Sequence, residues 1–178
     1  MKTDYSALHV RWMIRRDQDR VLEIEKDCFA SPWTRGDFER AISTRNKIGM
    51  VVEELDEHQV LGFMIYELFG NRLNLARIAV EKRYRREGVG SAMIRKLLSK
   101  LGYFRRTMIT AKLRESELEA QLFFKSFDFR AIGLLRGYFD GNGEDAYMMR
   151  YRLPSRCTRK REPAFICLDR DDWKAWEK

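Results

Sequence analysis

Residues Leu73 to Leu101 carry the stretch LNLARIAVEKRYRREGVGSAMIRKLLSKL, which decides how the rest of the chain can fold. Its first part, ending at Val80, has the apolar spacing of a β-strand, and its last part repeats apolar residues at helical spacing. Between them lie several arginines and two glycines, Gly88 and Gly90, which let a backbone approach a ligand closely. This order of strand, glycine-bearing loop and helix predicts an anion site at the start of the helix.

The loop from Arg85 to Gly90 suits a pyrophosphate, although these six residues are also typical of a plain turn before a basic surface helix. A dinucleotide site would need a third glycine and an acidic residue about 20 positions further on, and the sequence has neither. The Gly-Lys-Ser/Thr of a nucleoside-triphosphate loop is also missing. The pattern therefore argues against both of these common phosphate-binding loops.

Length and composition predict one globular domain with an appended tail. The 178 residues are 44% hydrophobic, which is enough for one buried core. We expect the domain to span residues 1–154 and to end at Pro154, and residues 155–178 to form a charged C-terminal extension. The net charge of +8 favours an acidic ligand or partner, whether coenzyme phosphates or RNA.

Several features limit the location and the chemistry of the protein. No run approaches the ~20 apolar residues that span a bilayer, and the N-terminus is charged where a secretory signal would be apolar. We therefore expect a cytoplasmic protein without membrane contact. Cys28, Cys157 and Cys167 lack C-x-x-C spacing and are expected to be free thiols. Since His9 and His58 are the only histidines, no metal site is expected.

Periodicity along the chain predicts the element order β-α-α-β-β-β-α-β-α-β-β. The strands are expected at residues 9–14, 48–54, 60–69, 73–80, 107–113, 129–138 and 146–153. Asp17, Thr34 and Ser116 are predicted to cap the helices that follow them. Thr34 has Asp37 three residues later, which is the spacing of a capping box.

The pattern Arg85-x-x-Gly88-x-Gly90 after a strand resembles the coenzyme A signature of the GNAT N-acetyltransferases, and the likeness runs roughly from Val10 to Leu153. Within that family the chain is most similar to the ribosomal-protein-alanine N-acetyltransferase (RimI-like) branch. The resemblance implies an α/β fold with a mixed central sheet flanked by helices, whose fourth and fifth strands part to admit a thioester. It also implies acetyl-CoA as cosubstrate and a protein N-terminal α-amine as acceptor, with a ribosomal protein that begins with alanine as the suggested partner.

The resemblance also assigns binding residues. The coenzyme residues that it implies are Ile78, Ala79 and Val80 along the pantetheine arm, Arg85, Arg86, Glu87, Gly88, Val89, Gly90 and Ser91 around the pyrophosphate, and Glu117, where many relatives have an asparagine. The acceptor is expected to contact Phe29, Pro32 and Trp33, together with Tyr138. A Pro-Trp pair in a loop is also typical of a simple packing corner, and an aromatic at a strand end often packs on its sheet.

The expected acid and base depart from the family pattern. Lys112 aligns with the general-base glutamate of the family, and Phe124 aligns with its general-acid tyrosine. A phenylalanine cannot donate a proton, and a lysine is a useful base only with a strongly lowered pKa. Glu115, Glu117 or Tyr138 could carry the proton instead. Positioning alone could also supply the rate, or the domain could bind coenzyme A without turnover. Acetylation of a lysine or a small amine is a further alternative.

The C-terminal extension carries two notable clusters. Arg159, Lys160 and Arg161 are typical of a solvated tail, and they could also contact RNA, because phosphate neutralisation tolerates any sequence. Trp173 and Trp176 stand three residues apart, which predicts a short helix that docks on the domain.

Overall fold

The computed structural model describes residues 8–139, 143–154 and 165–169, and the chain divides into two units, Met1–Leu101 and Gly102–Lys178. Most of the predicted turn at residues 140–143 lies outside the described residues. The same is true of Cys157, the basic cluster at residues 159–161, and the two tryptophans at positions 173 and 176. Of the predicted extension, residues 165–169 are described.

The first unit is an antiparallel four-stranded sheet with three helices. Its elements are β1 Leu8–Trp12, α1 Gln18–Cys28, α2 Arg35–Ser43, β2 Lys47–Glu54, β3 Val60–Phe69, β4 Arg72–Val80 and α3 Val89–Leu98. The strands lie in the order β1-β2-β3-β4, and each pair of neighbours is antiparallel. One 3-10 turn precedes α1, and a second, Lys82–Tyr84, follows β4.

The core of the first unit forms on β3, whose sequence is almost continuously apolar. Its first seven residues are buried, which is the pattern of a strand covered on both faces. Val21 and Ile24 of α1 and Phe38 of α2 pack with Phe63 of this strand. Each helix contributes one apolar face, and on α3 the buried residues are Val89, Met93, Ile94 and Leu97. Because these faces are buried, α1 and α3 are held in position, and so are the loops at their ends.

In its described residues, the second unit is a mixed four-stranded sheet with one helix. Its elements are β5 Met108–Arg114, α4 Leu118–Lys125, β6 Arg130–Phe139, β7 Glu144–Arg152 and β8 Ile166–Leu168. The strands lie in the order β5-β7-β6-β8, antiparallel except for the parallel pair of β6 and β8. The short strand β8 was not predicted, because three residues carry no readable periodicity.

The capping predictions had different outcomes. Thr34 caps α2 as predicted: its Oγ1 accepts the Asp37 N–H at 3.2 Å, and Asp37 Oδ2 accepts the Thr34 N–H at 2.8 Å. Asp17 is the N-cap residue of α1 as predicted, but its carboxylate makes no capping hydrogen bond, because it accepts from the Arg11 guanidinium and the Ile14 N–H. For Ser116 the prediction was wrong, since Glu117 is the N-cap of α4 and the Ser116 hydroxyl bonds to the Glu144 carboxylate.

Candidate active site

The loop between β4 and α3 has the backbone of an anion-binding turn. Arg86 and Gly88 have positive φ angles of +66° and +81°, and Gly88 is the N-cap of α3. A φ of +81° is disfavoured for any residue with a Cβ, so the glycine is required there. The first N–H groups of α3, including those of Gly90 and Ser91, point along the helix axis, since α-helix geometry gives them no acceptor within the helix. The positive end of the helix dipole lies at the same place.

The end of β4 presents main-chain groups on the edge away from β3. The Glu81 N–H donates to the Leu61 carbonyl of the β3 side at 2.9 Å. Since polar groups alternate between the two edges of a strand, those of Ile78 and Val80 face the opposite edge, while those of Ala79 face β3. This arrangement fits the pantetheine role that the resemblance assigned to Ile78 and Val80.

The Arg85 side chain folds back onto the end of β4. Its Nε donates to the Val80 carbonyl at 3.2 Å, and its Nη2 lies 3.3 Å from Cys28 Sγ. The Cys28 thiol donates to the same carbonyl at 3.3 Å. Arg85 and Arg86 are both exposed residues of this loop, so their guanidinium groups are accessible to solvent. The arginines therefore add positive charge next to the start of α3.

The loop from Phe29 to Trp33 joins α1 to α2 and is in contact with two charged residues, Arg77 and Glu25. Arg77 of β4 lies over the Phe29 ring at 4.1 Å and over the Trp33 ring at 4.9 Å. Glu25 of α1 accepts the Trp33 N–H at 2.8 Å. Pro32, at the tip of the loop, is exposed. Sequence reasoning named the loop but missed Arg77 and Glu25, because only the fold brings residues 52 positions apart together.

The second unit brings Lys112 and Tyr138 into contact. Lys112 Nζ donates to the Tyr138 hydroxyl at 3.0 Å and lies 4.5 Å from the centre of its ring. Tyr138 stands beside a bulge in β6, where Gly137 has a φ of +57° and its N–H donates to Asp145 Oδ1 at 2.8 Å. Because bulges redirect the side chains beside them, Gly137 and Asp145 fix the direction of Tyr138.

The other proposed catalytic residues lie in different surroundings. Phe124 is 1% exposed and packs edge-on against Phe123 and Phe129, so its ring is part of the α4 core. Glu115 and Glu117 are exposed at the turn before α4. Among the five residues that the sequence offers for proton transfer, Lys112 and Tyr138 form a polar contact with each other.

The turn that carries Glu115 is fixed by one carboxylate of β7. Glu144 accepts from Arg114 Nη1 at 2.7 Å and from the Ser116 N–H at 3.0 Å. Arg114 in turn stacks over the Phe139 ring at 4.0 Å. These contacts connect the end of β5 to the end of β6, and so they hold the two strands that carry Lys112 and Tyr138.

Metal-ion sites and membrane-spanning helices are both absent from the described residues. Within residues 8–139, 143–154 and 165–169, no group of three or more His, Cys, Asp or Glu side chains could hold a metal ion. None of the helices in this part of the chain is long and apolar enough to cross a bilayer.

Residues 46–131, which include the whole stretch from β4 to α4, match the model of the acetyltransferase (GNAT) domain. This part of the chain is therefore an acetyltransferase (GNAT) domain, and the predicted α/β fold with its mixed sheet is confirmed.

One relative in sequence and one similar structure carry names of the same kind. A candidate [ribosomal protein bS18]-alanine N-acetyltransferase of Bacillus subtilis (strain 168) is 29% identical over 140 residues, which are 79% of this chain and 92% of that protein. The crystal structure of the ribosomal-protein-S18-alanine N-acetyltransferase from Escherichia coli superposes with a TM-score of 0.74 at 20% identity, covering 87% of this chain and 99% of that one.

A second similar structure contains the expected cosubstrate. Arabidopsis thaliana NAA60 in complex with acetyl-CoA superposes with a TM-score of 0.74 at 16% identity, covering 82% of this chain and 99% of that one. At this level of identity, the two structural matches establish the fold alone. Enzymes of the GNAT family use acetyl-CoA as the acetyl donor.

Proposed function

We propose that this GNAT protein transfers the acetyl group of acetyl-CoA to the N-terminal α-amine of a protein. A ribosomal protein that begins with alanine is the first acceptor to test, because relatives in Bacillus subtilis and Escherichia coli are named for that substrate. The observation that carries the proposal is the left-handed Gly88, which caps α3 at the end of the loop that follows β4. Such a backbone suits the binding of an anion at a helix N-terminus.

The coenzyme would be held by the first unit. The N–H groups at the start of α3 and the exposed guanidinium groups of Arg85 and Arg86 would bind the pyrophosphate. The outward main-chain groups of Ile78 and Val80 would bind the pantetheine arm. For Arg85 this requires its side chain to leave the Val80 carbonyl, which is one hydrogen bond exchanged for another.

Proton transfer is assigned to the Lys112–Tyr138 pair. In the reaction the C–N bond forms while the thioester C–S bond breaks, the amine gives up one proton, and the thiolate takes one up. An α-amine has a reference pKa of about 7.7–8.0, so about a tenth of it is already neutral at pH 7 and a strong base is not required. The Lys112 ammonium donates to the phenol oxygen and would stabilise negative charge there once the Tyr138 proton has passed to the thiolate. The phenolate would then take up the proton that the amine loses.

A coenzyme A-binding module without turnover is the second candidate. The positive charge of Lys112 and the buried, hydroxyl-free ring of Phe124 favour it, because the family's acid and base are expected at these two positions. In this candidate the first unit still binds coenzyme A, and the second unit contributes no chemistry.

Calorimetry with acetyl-CoA tests the coenzyme site. Gly88→Ala should weaken binding about tenfold, because a Cβ at a φ of +81° forces the loop out of its present conformation. Gly70→Ala is the matched control, since Gly70 also has a positive φ, of +53°, but has open space around it and lies in the turn between β3 and β4. Absence of binding by the unaltered protein, or equal losses in the two variants, would contradict the proposed site.

Thiol release with peptides tests the reaction and the acceptor. An alanine-starting peptide should release coenzyme A thiol, whereas the same peptide with a blocked N-terminus and an internal lysine should not. Release with the blocked peptide would point to a lysine acceptor, and release only with polyamines would point to a small amine. Coenzyme binding without release from any of these acceptors would favour the module without turnover.

A further inference from the structure

Arg77 makes four contacts with the loop between α1 and α2 and with its support. Its Nη2 donates to Glu25 Oε1 at 2.7 Å and to the Ser31 carbonyl at 3.1 Å. Its guanidinium also lies against the rings of Phe29 and Trp33, at 4.1 and 4.9 Å. The side chain is only 16% exposed, so these contacts are shielded from water. A single side chain therefore contacts the beginning, the middle and the end of the loop.

Glu25 completes the support from the α1 side. Its side chain is fully buried, and Oε1 accepts both from Arg77 and from the Trp33 N–H. Its Oε2 is buried and has no hydrogen-bond partner in the described part of the chain. A buried carboxylate tolerates this only next to a compensating cation, which here is Arg77. The two residues thus depend on each other.

The loop has little other support at its tip. Ala30, Ser31 and Pro32 are exposed, while Phe29 and Trp33 are half-buried and pack against the core of the first unit. Trp33 also packs edge-on against Phe38 at 5.3 Å. The two aromatic ends are therefore anchored by packing, whereas the backbone between them is fixed by the Ser31 carbonyl and the Trp33 N–H. Both of these groups bond to the Arg77–Glu25 pair.

Arg77 also connects this loop to the coenzyme strand. It directly precedes Ile78, the first residue proposed to contact pantetheine, and both lie on β4. Its main chain is therefore fixed by the strand pairing of β4 with β3, while its side chain sets the loop. Arg77 therefore helps to fix the position of the loop relative to the end of β4, together with the hydrogen bond from the Cys28 thiol to the Val80 carbonyl.

We propose that Arg77 and Glu25 are positioning residues for the acceptor: they hold the Phe29–Trp33 loop in the conformation that binds the acceptor peptide. The inference rests on the proposed function, in which this loop contacts the acceptor. Loss of the pair should impair acceptor binding and leave coenzyme binding intact, because the pyrophosphate loop and the main chain of Ile78 and Val80 are unchanged. Neither residue needs to touch the reacting atoms.

The test compares three variants with the unaltered protein. Arg77→Met keeps the length and apolar stem of the side chain but removes the charge and the donors. Arg77→Lys keeps the charge. Arg72→Met is the matched control, since Arg72 is also an arginine of β4 that stacks on an aromatic ring, Phe69, at 4.5 Å.

Steady-state kinetics with an alanine-starting peptide provide the first readout. Arg77→Met should raise the peptide KM about tenfold to a hundredfold, with the acetyl-CoA Kd unchanged within about twofold. Arg77→Lys should recover part of the loss, and Arg72→Met should leave the peptide KM unchanged. If the unaltered protein turns over and Arg77→Met has a normal peptide KM, the inference is overturned while the proposed function stands.

Amide hydrogen exchange provides a second readout that does not depend on turnover. Arg77→Met and Glu25→Gln should both speed exchange at the Trp33 amide, which donates to Glu25, and should leave amides in the middle of β3 unchanged. Unchanged exchange at Trp33 in both variants would overturn the inference. Faster exchange together with no turnover by the unaltered protein would overturn the acceptor role along with the proposed function. Uniformly faster exchange would mean general destabilisation and would also overturn it.

Discussion

Lys112 carries a positive charge where the family resemblance places a carboxylate. In the structure this charge does not stand alone, because its Nζ contacts both the hydroxyl and the ring face of Tyr138. The positive charge at this position is thus accompanied by a contact with Tyr138. A lysine beside a phenol can assist proton transfer without acting as the base, since it stabilises the phenolate.

The first prediction concerns this pair. Tyr138→Phe should lower kcat for an alanine-starting peptide about 100-fold, because it removes the proposed proton carrier. Lys112→Met should have a similar effect, and the double variant should be little worse than either single one, since the two residues act together. Thiol-release kinetics measure all three. Tyr103→Phe is the control, because Tyr103 is an exposed residue of the same type whose hydroxyl donates to the Pro154 carbonyl at 2.7 Å. A normal kcat for Tyr138→Phe would contradict the assignment.

The second prediction concerns the residue aligned with the family's acid. Phe124→Tyr should lower the free energy of unfolding by about 1–3 kcal/mol, because the added hydroxyl would be buried in an aromatic cluster. Phe123→Tyr, on the neighbouring half-buried ring, should cost less. Urea unfolding followed by circular dichroism compares the two. Equal stability of both variants would show that the Phe124 site can accommodate a hydroxyl.

At the scale of the elements, Arg11 joins three parts of the first unit. From β1 it donates to both carboxylate oxygens of Asp17, at 2.7 and 2.9 Å, and to Glu53 of β2 at 2.8 Å. Asp17 and Glu53 are nearly buried, at 4% and 8% side-chain exposure. The Arg11 guanidinium therefore places a cation against two nearly buried carboxylates, and it fixes the start of α1 against the sheet.

The third prediction follows from this network. Arg11→Met should lower the free energy of unfolding by about 3–5 kcal/mol, because it leaves buried carboxylates without their cation. Arg35→Met is the control: Arg35 also pairs with an aspartate, Asp19, but both side chains are largely exposed and the pair should contribute less than about 1 kcal/mol. Denaturant unfolding gives both values. Similar losses in the two variants would mean that the network adds nothing beyond a surface ion pair.

The same elements show what the sequence could predict and what it could not. The order of strands and helices up to β7 was correct, since apolar periodicity is local, and so was the Thr34 cap, whose partner is three residues away. Asp17 is of a residue type that commonly caps helices, but its carboxylate accepts hydrogen bonds from Arg11. The Arg11 guanidinium is held in turn by Glu53 of β2, which is distant in the sequence. Arg77 and Glu25, or Lys112 and Tyr138, are far apart along the chain, so no local pattern could pair them.

At the scale of the whole molecule, buried carboxylates set how stability depends on pH. Burial acts to raise the pKa of Asp17, but the hydrogen bonds from Arg11 and the Ile14 N–H outweigh it, so the pKa is lowered. The Arg11 hydrogen bond also lowers the pKa of Glu53. Burial raises the pKa of Glu25, although the Trp33 N–H and Arg77 oppose it. The first two groups therefore favour folding when ionised, and Glu25 favours it when protonated.

The fourth prediction concerns the direction in which Asp17 and Glu53 change the stability with pH. For Asp17 and Glu53 the unfolded chain binds protons more readily, so their contribution is present above the unfolded pKa values of about 3.9 and 4.3 and is lost as the pH falls further. Protonation also adds to a net charge that is already +8, which increases self-repulsion. Stability should drop from pH 5 to pH 3 in urea titrations, and less steeply in Arg11→Met. An unchanged slope in the variant would contradict this origin.

Glu25 should act in the opposite direction. Its contribution is present below its unfolded pKa and is lost as the pH rises through its raised folded pKa. The fifth prediction is that Glu25→Gln loses less stability than the unaltered protein as the pH is raised from 4 to 8. The same urea titrations measure it, and parallel curves would contradict it.

The short strand β8 has a consequence for how the protein can be handled. It pairs in parallel with β6, and Gly133 makes room for it, because a Cβ there would lie 2.6 Å from the Ile166 carbonyl oxygen. A chain cut after Pro154, the predicted end of the domain, would uncover the hydrogen-bonding groups of β6 that now face β8. Uncovered strand edges recruit strands from other copies. Such a shortened protein would tend to self-associate in solution, so the segment that carries β8 helps to keep the protein monodisperse.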